Sequence, residues 1–327
     1  MSDSEAKEFI AADKENAKCI ATFLIGDDIM NSPCHKPSRF IINFWDWDEA
    51  DARKYPLLFK RCEELVLPKR QEIPHKQTRE KCVRFFWRYD ALAKNMYQAI
   101  HGMKRVLVTA QVSPTNAVTW VSISGIFDKK AVVFAVEESY WFGLFQSSIF
   151  WEWVRKNTAT LGGSTLNFSP TDCVATFPIP NKEFLLKINH ISDDYFAERR
   201  MLLEREVYGL TDFYNRFHDR GGASADIARL RALHVELDQA VAAAYGWRDL
   251  DLGHGFHATK QGERFTISES ARRTVLDRLL ALNHQRYAEE VAAGLHQKGA
   301  KRSKGREAKT SEPDLPVPAS RPQMNLL

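Results

Sequence analysis

Val106-Leu107-Val108-Thr109-Ala110-Gln111-Val112, then Ala117-Val118-Thr119-Trp120-Val121-Ser122-Ile123, then Ala131-Val132-Val133-Phe134-Ala135-Val136 is the stretch that decides the fold class. Each run is short and rich in β-branched and aromatic residues, which fit a pleated, half-buried surface, so the three read as a β-meander. Helical spacing lies on both sides. Upstream, Leu92, Met96, Tyr97 and Ile100 share one face of Asp90–Gly102; downstream, Trp141, Phe145, Ile149 and Trp153 do the same within Ser139–Asn157. Strands and helices are therefore segregated rather than alternating, which gives an α+β class.

Further upstream the pattern predicts a polar helix over Asp3–Lys18, a strand over Ile20–Ile25, a turn at Gly26-Asp27-Asp28 and a strand over Arg39–Phe44. A helix capped by Asp48, broken at Pro56 and resumed to Val66, leads into a basic loop over Pro68–Thr78. Downstream, a Gly-Gly loop and a strand near Val174 precede the stop Phe177-Pro178-Ile179-Pro180. Helical periodicity then dominates: Ser192–His218, Ala225–Tyr245 and Ser268–His296, with a loop or short hairpin over Gly253–Ile267. These read as a small helix bundle. The expected organisation is a mixed domain over residues 1–186, an all-α domain over 187–297, and a disordered basic, proline-bearing tail over 298–327 that has too little apolar content for a core.

The chain has 327 residues, 44% hydrophobic and 27% charged, enough for one or two cores. No run of eighteen apolar residues occurs and the segment from Met1 to Phe9 is polar and acidic, so no membrane partner and a cytoplasmic location are expected. Cysteines 19, 34, 62, 82 and 173 never form a C-x-x-C pair, which predicts reduced, buried thiols. The net charge of +4 equals the excess of seven basic over three acidic residues in the tail. Within the neutral remainder, Arg53 to Arg105 concentrates fourteen Lys or Arg against Glu63, Glu64, Glu72, Glu80 and Asp90. Such a concentration is either a solvated helix face or a phosphate-binding surface.

Catalytic constellations are absent from the sequence. It holds no P-loop, no G-x-G-x-x-G after a strand, no G-x-S-x-G turn, no Asn- or Asp-Pro-Pro-aromatic tetrapeptide of amino-methyltransferases and no glycine-rich S-adenosylmethionine loop. His254 and His257 lack further ligands at metal-site spacing, so no metal is expected. Cys34-His35 lies in an irregular segment unsuited to a nucleophile pair, and Glu307-Ala308-Lys309 has a nuclease-like form in the tail without a fixed carboxylate to complete it. The aromatics Phe85-Phe86-Trp87 and Trp141 to Trp153 suit either stacking on bases or core packing, and the helical spacing of the second group favours the core.

Gly26-Asp27-Asp28-Ile29-Met30-Asn31, Pro37-Ser38-Arg39-Phe40-Ile41-Ile42-Asn43-Phe44, Glu49-Ala50-Asp51-Ala52-Arg53-Lys54-Tyr55-Pro56 and Lys69-Arg70 stand in an order that resembles the target recognition domain of the MmeI-type type IIG restriction-modification enzymes. The resemblance continues through Phe86-Trp87-Arg88, Lys104 to Thr109, Tyr140 to Ser147 and Phe168 to Pro178. Leu210 to His218, Leu230 to His234, Ala244 to Trp247 and Leu282 to Tyr287 are similar to the C-terminal helical region of the same enzymes.

The resemblance implies recognition of double-stranded DNA as the specificity part of a type II restriction-modification DNA adenine methyltransferase. The family's nuclease and N6-adenine methyltransferase parts are not matched. They, with the S-adenosylmethionine site and any flipping of the target adenine, are expected on a separate methyltransferase/nuclease polypeptide or lost, and this chain is expected to hold no cofactor. The alternative is a non-binding remnant, or an interaction module that packs on a methyltransferase domain.

Phosphate contacts are expected from Arg39, Lys69, Arg70, Lys76, Arg79, Lys81, Arg84, Arg88, Lys104 and Arg105, about half of which should instead serve the fold. Family specificity positions lie just upstream of the motif matching Phe168-Ser169, which implies Gly163 and Thr165, with Ser164 and Asn167 beside them. Gln111, Ser113, Thr115 and Asn116, in and beside the loop between the first two predicted strands, are expected to join them in reading base edges.

Overall fold

A computed structural model describes residues 1–161, 165–222 and 224–295. Contacts divide the chain into a unit over Met1–His284 and a second over Gln285–Leu327. The first holds all the sheets. Its strands are β1 (Ile20–Leu24), β2 (Arg39–Ile42), β3 (Arg105–Ala110), β4 (Val112–Ser113), β5 (Thr119–Ser122), β6 (Gly125–Phe127), β7 (Ala131–Phe134), β8 (Ala159–Leu161), β9 (Thr165–Asn167), β10 (Gly255–Thr259) and β11 (Gly262–Thr266).

The α+β class holds. The three deciding runs form one antiparallel sheet, but its order is β5-β3-β7, with the first strand in the centre, so the simple meander is corrected. The reason lies between β5 and β7: Gly125 to Phe127 leaves this sheet and pairs in parallel with β1, Thr22 opposite Gly125, while β2 flanks β1 on its other edge. The strand expected near Val174 is a helical turn, Pro170–Cys173, because Ser169 caps it by accepting the Asp172 N–H at 3.4 Å. The strand of that region is β9.

The aromatic segment 139–157 is two helices, Ser139–Gln146 and Ser148–Asn157, because the Ser147 hydroxyl accepts the Phe150 N–H and starts a new helix. Phe145, Ile149 and Trp153 are buried and Trp141 stacks on Phe145 at 5.5 Å, so this surface is core. Two further loops are helical. Gly26–Asn31 is a helix whose Asp28 carboxylate accepts the N–H groups of Ile25 and Ser38, each at 3.2 Å. The basic segment folds as Leu67–Gln71, with Pro68 in its first turn where no N–H is needed, and Lys76–Arg84.

The helical region comprises Asn189–Glu206, Leu210–Phe217, Ala225–Ala244 and Glu269–Ala292, with β10 and β11 as a hairpin before the last. Helix Asn189–Glu206 ends where Val207 turns left-handed at φ 58°. Gly209 then lets the chain pass the Asn31 backbone, which an added Cβ would meet at 2.5 Å. Gly143 plays the same part under Ser192, so helices 139–146 and 189–206 approach closely. One apolar core continues from Leu24 through Trp153 and Phe177 to Leu233, Val241 and Leu279, with members on both sides of residue 186. A smaller one gathers Cys19, Phe44, Leu58, Phe59, Phe86 and Trp87. The thiols are free and four are buried; Cys34 is exposed, correcting the expectation for that residue. Among the described residues no helix is long and apolar enough to cross a membrane.

Candidate nucleic-acid interface

The two segments expected to read bases are neighbours. β9 pairs antiparallel with β4, Val112 opposite Asn167 and Ser113 opposite Leu166, and on its other edge with β8. The order is β4-β9-β8. Gln111 extends this arrangement: its carbonyl accepts the Phe168 N–H at 2.7 Å and its own N–H donates to Lys130 at 2.7 Å. Residues 55 positions apart in sequence are thus fixed in register by backbone hydrogen bonds, leaving their side chains to vary.

Gln111, Thr165 and Asn167 are half-buried and carry the polar groups of this sheet. Ser113 and Thr115 are buried, and the Ser113 hydroxyl accepts the Thr115 N–H at 2.9 Å. That turn shapes the loop from inside. Asn116 is half-buried, with its Oδ1 buried and unpartnered. Gly163 and Ser164 lie outside the described residues. The hairpin joins the loop from the helical region, where the Gln261 side-chain amide donates to the Pro114 carbonyl at 3.2 Å.

The ten expected phosphate contacts separate by their partners. Arg70 donates to the carbonyls of Cys82, Phe85 and Arg88 at 3.0, 3.0 and 2.6 Å. Arg88 donates to Trp47 at 2.7 Å and lies over the Phe85 and Trp87 rings. Arg105 donates to the Glu137 carbonyl at 2.9 Å and covers the Trp120 ring at 4.1 Å. Arg79 donates to Ile73 at 3.1 Å. These four arginines are structural staples, because backbone carbonyls hold their guanidinium groups in place. Lys81 is paired with Asp90 at 2.8 Å, which raises its ammonium pKa through the hydrogen bond and the charge. Lys76 only reaches Glu80 at 4.0 Å. Arg39, Lys69, Arg84 and Lys104 are exposed, and none has an ion-pair partner among the described residues.

Sequence reasoning missed a polar cluster behind the loop. Ser148 Oγ lies 3.1 Å from His234 Nε2, and the Asp238 carboxylate lies 3.5 Å from that same nitrogen. Asp238 also meets His254 Nε2 at 2.8 Å and accepts the Ser148 N–H at 2.7 Å. Burial alone would raise the Asp238 pKa, but His234, His254 and Ser148 outweigh it and hold the carboxyl below its usual range. Burial lowers that of His234, against the opposing charge of Asp238. A hydrolytic triad needs the acid on one imidazole nitrogen and the nucleophile on the other. Here both meet Nε2 while Nδ1 is unpartnered, so the cluster is a buried junction between helices 148–157 and 225–244. The i, i+4 spacing of His234 and Asp238 was its only trace in the sequence. His257, the other histidine of its motif, meets the Gly253 carbonyl at 2.9 Å, and His35 meets that of Ile29 at 2.9 Å.

The family model described as "MmeI, target recognition domain" matches residues 1–181. No curated protein matches the chain. Among solved structures, that of the type IIL restriction-modification enzyme MmeI in complex with DNA is similar, with a TM-score of 0.61 and 18% identity over 88% of this chain and 34% of that one. This chain thus spans about a third of that enzyme's length, and at this identity the likeness is one of fold. Over half of its residues, therefore, the chain belongs to the MmeI target recognition domain family.

Proposed function

We propose that this chain recognises a specific sequence in double-stranded DNA as the specificity part of a restriction-modification system. The observation that carries the reading is the β4-β9-β8 sheet, which pairs Val112 with Asn167, two residues from Thr165, and ties the Gln111 backbone to Phe168 beside them. Amide side chains offer the paired donor and acceptor that adenine presents in the major groove, and the open cations Arg39, Lys69, Lys76, Arg84 and Lys104 supply the sequence-independent hold. The solved MmeI structure contains DNA and is of a restriction-modification enzyme, which supports the same assignment.

The finer reading is a type IIG, adenine-specific DNA methyltransferase acting in the cytoplasm, whose methyl transfer and cleavage are carried out by residues outside these 327. S-adenosylmethionine would bind there. The cavity behind Pro114 to Asn116, about 70 Å³, is well below the ~300 Å³ at which sites for such ligands begin. An interaction module that docks on a methyltransferase is favoured by one feature: Tyr287 and Val291 are exposed at four-residue spacing near the end of the last helix, and Leu295 is exposed in the turn just beyond it.

Selection of a random duplex library by the purified chain, with sequencing of the retained fraction, tests the proposal. One enriched short motif is expected, with retention falling steeply as salt rises. Retention without any enriched motif, or none at low salt, overturns autonomous recognition.

A further inference from the structure

The cavity behind the reading loop is built like a binding site. Its lining includes Asn116, Trp151, Arg155, His218, His234 and Arg264. Four of these residues each carry a buried polar atom without a hydrogen-bond partner among the described residues: Asn116 Oδ1, Trp151 Nε1, His218 Nδ1 and His234 Nδ1. His234 is 6% exposed and Trp151 5%. Buried polar atoms are seldom left unpaired because their desolvation goes uncompensated, so four around one space call for an occupant. The indole nitrogen is a donor only, a neutral imidazole offers one N–H, and the Asn116 amide presents a donor when turned about its last bond.

Charge narrows the chemistry. Arg264 has no carboxylate or hydrogen-bond partner among the described residues, and Arg155 has Glu152 alone. Burial, and then the Arg155 charge, depresses the Arg264 pKa. Burial, followed by the positive fields of Arg264, His234, Arg155 and Arg231, pushes His218 down to about 3. The acids that face the cluster are Glu152, already paired, and Asp238, behind Ser148 and His234. The balance at the cavity is cationic with neutral donors. A volume of about 70 Å³ admits one small anion and not a nucleotide.

We propose that this cavity holds a single phosphate group, with Arg264 and Arg155 opposing its charge and Trp151, His218 and His234 donating to its oxygens. The group comes either from free orthophosphate or from a DNA backbone lying across Pro114. The site itself stands without the DNA reading; only its second source rests on it.

The full chain is titrated with sodium phosphate at pH 7.5 and constant ionic strength, following Tm, alongside Arg264→Gln and Trp151→Phe. Wild type is expected to show a saturable rise of about 3 °C. Arg264→Gln should lose the saturable part, and Trp151→Phe should bind about tenfold more weakly while keeping the ring. Phosphate also stabilises proteins in general, so the difference between wild type and variants is the readout. Should Arg264→Gln not fold, Trp151→Phe carries the comparison. Identical responses of wild type and variants overturn the site and leave a water-filled cavity. Phosphate binding with duplex retention unchanged in Arg264→Gln assigns free phosphate. Phosphate that competes with duplex, together with weakened duplex retention in the variant, assigns the DNA backbone. If wild type retains no duplex at all, the DNA reading has failed while the phosphate titration still decides the site.

Discussion

His35 and His218 contribute to how the molecule responds to acid. Burial lowers His35 to about 4, helped by the charge of Arg199 and opposed by its bond to Ile29, and burial with nearby cations takes His218 to about 3. Both folded values lie below the unfolded value of 6.5, so below that pH the unfolded chain binds protons that the native state refuses. Their effect is nil at neutral pH, and stability is lost progressively as pH falls from 6.5 towards 4. Tm measured across that window should fall, and His35→Asn combined with His218→Phe should flatten the fall. Asparagine suits position 35 because φ there is 51°. An unchanged slope in the double variant would assign the acid response to other groups.

At the scale of elements, Arg199 does what no single helix face accomplishes. It is 1% exposed on helix 189–206 and donates to the Val118 carbonyl at 2.7 Å, Gln146 Oε1 at 3.0 Å and the Tyr214 hydroxyl at 3.1 Å. It also lies over the Phe142 ring at 5.0 Å. Three neighbouring segments are thereby held to one guanidinium, which spreads its charge over oxygen dipoles instead of a carboxylate. Arg199→Met should lower stability by about 3 kcal/mol, read from the urea midpoint, because the Val118 carbonyl loses its guanidinium donor in the core and Gln146 Oε1 keeps only the Val118 N–H. Arg199→Lys should recover only part, since an ammonium lacks the planar fork. Parent-like stability in Arg199→Met would show that apolar packing alone docks this helix. Sequence patterns made the aromatic core and most helices legible because burial follows spacing, as Phe145, Ile149 and Trp153 show. They did not reveal Arg199, which resembles any other arginine of a charged helix. Nor did they reveal the β3-centred sheet order, because strand periodicity says which face is buried and nothing about which edges pair.

Across the whole molecule, the excess of cations between Arg53 and Arg105 was visible in the sequence, but its division between fold and surface was not, because that depends on which carbonyls the fold brings within reach of each guanidinium. The structure makes Arg70, Arg79, Arg88 and Arg105 staples and leaves Lys69, Lys76 and Arg84 on two consecutive short helices with at most one distant acid between them. The two groups should separate experimentally. Neutralising Lys69, Lys76 and Arg84 to glutamine is expected to weaken duplex binding equally for every sequence and to reduce the slope of log K against log salt by up to about 3, near 0.9 for each phosphate released. Arg70→Gln should instead lower Tm, because the ends of the Cys82 to Arg88 segment lose three hydrogen bonds. Changes at Thr165 or Asn167 should alter sequence preference while the salt slope stays constant, since base-edge contacts release no counterions. A triple variant with unchanged slope would move the phosphate-facing surface to Arg39 and Lys104. If the triple variant and the Thr165 or Asn167 variants both gave the same sequence-independent loss, the β4-β9-β8 sheet would not be the reading surface.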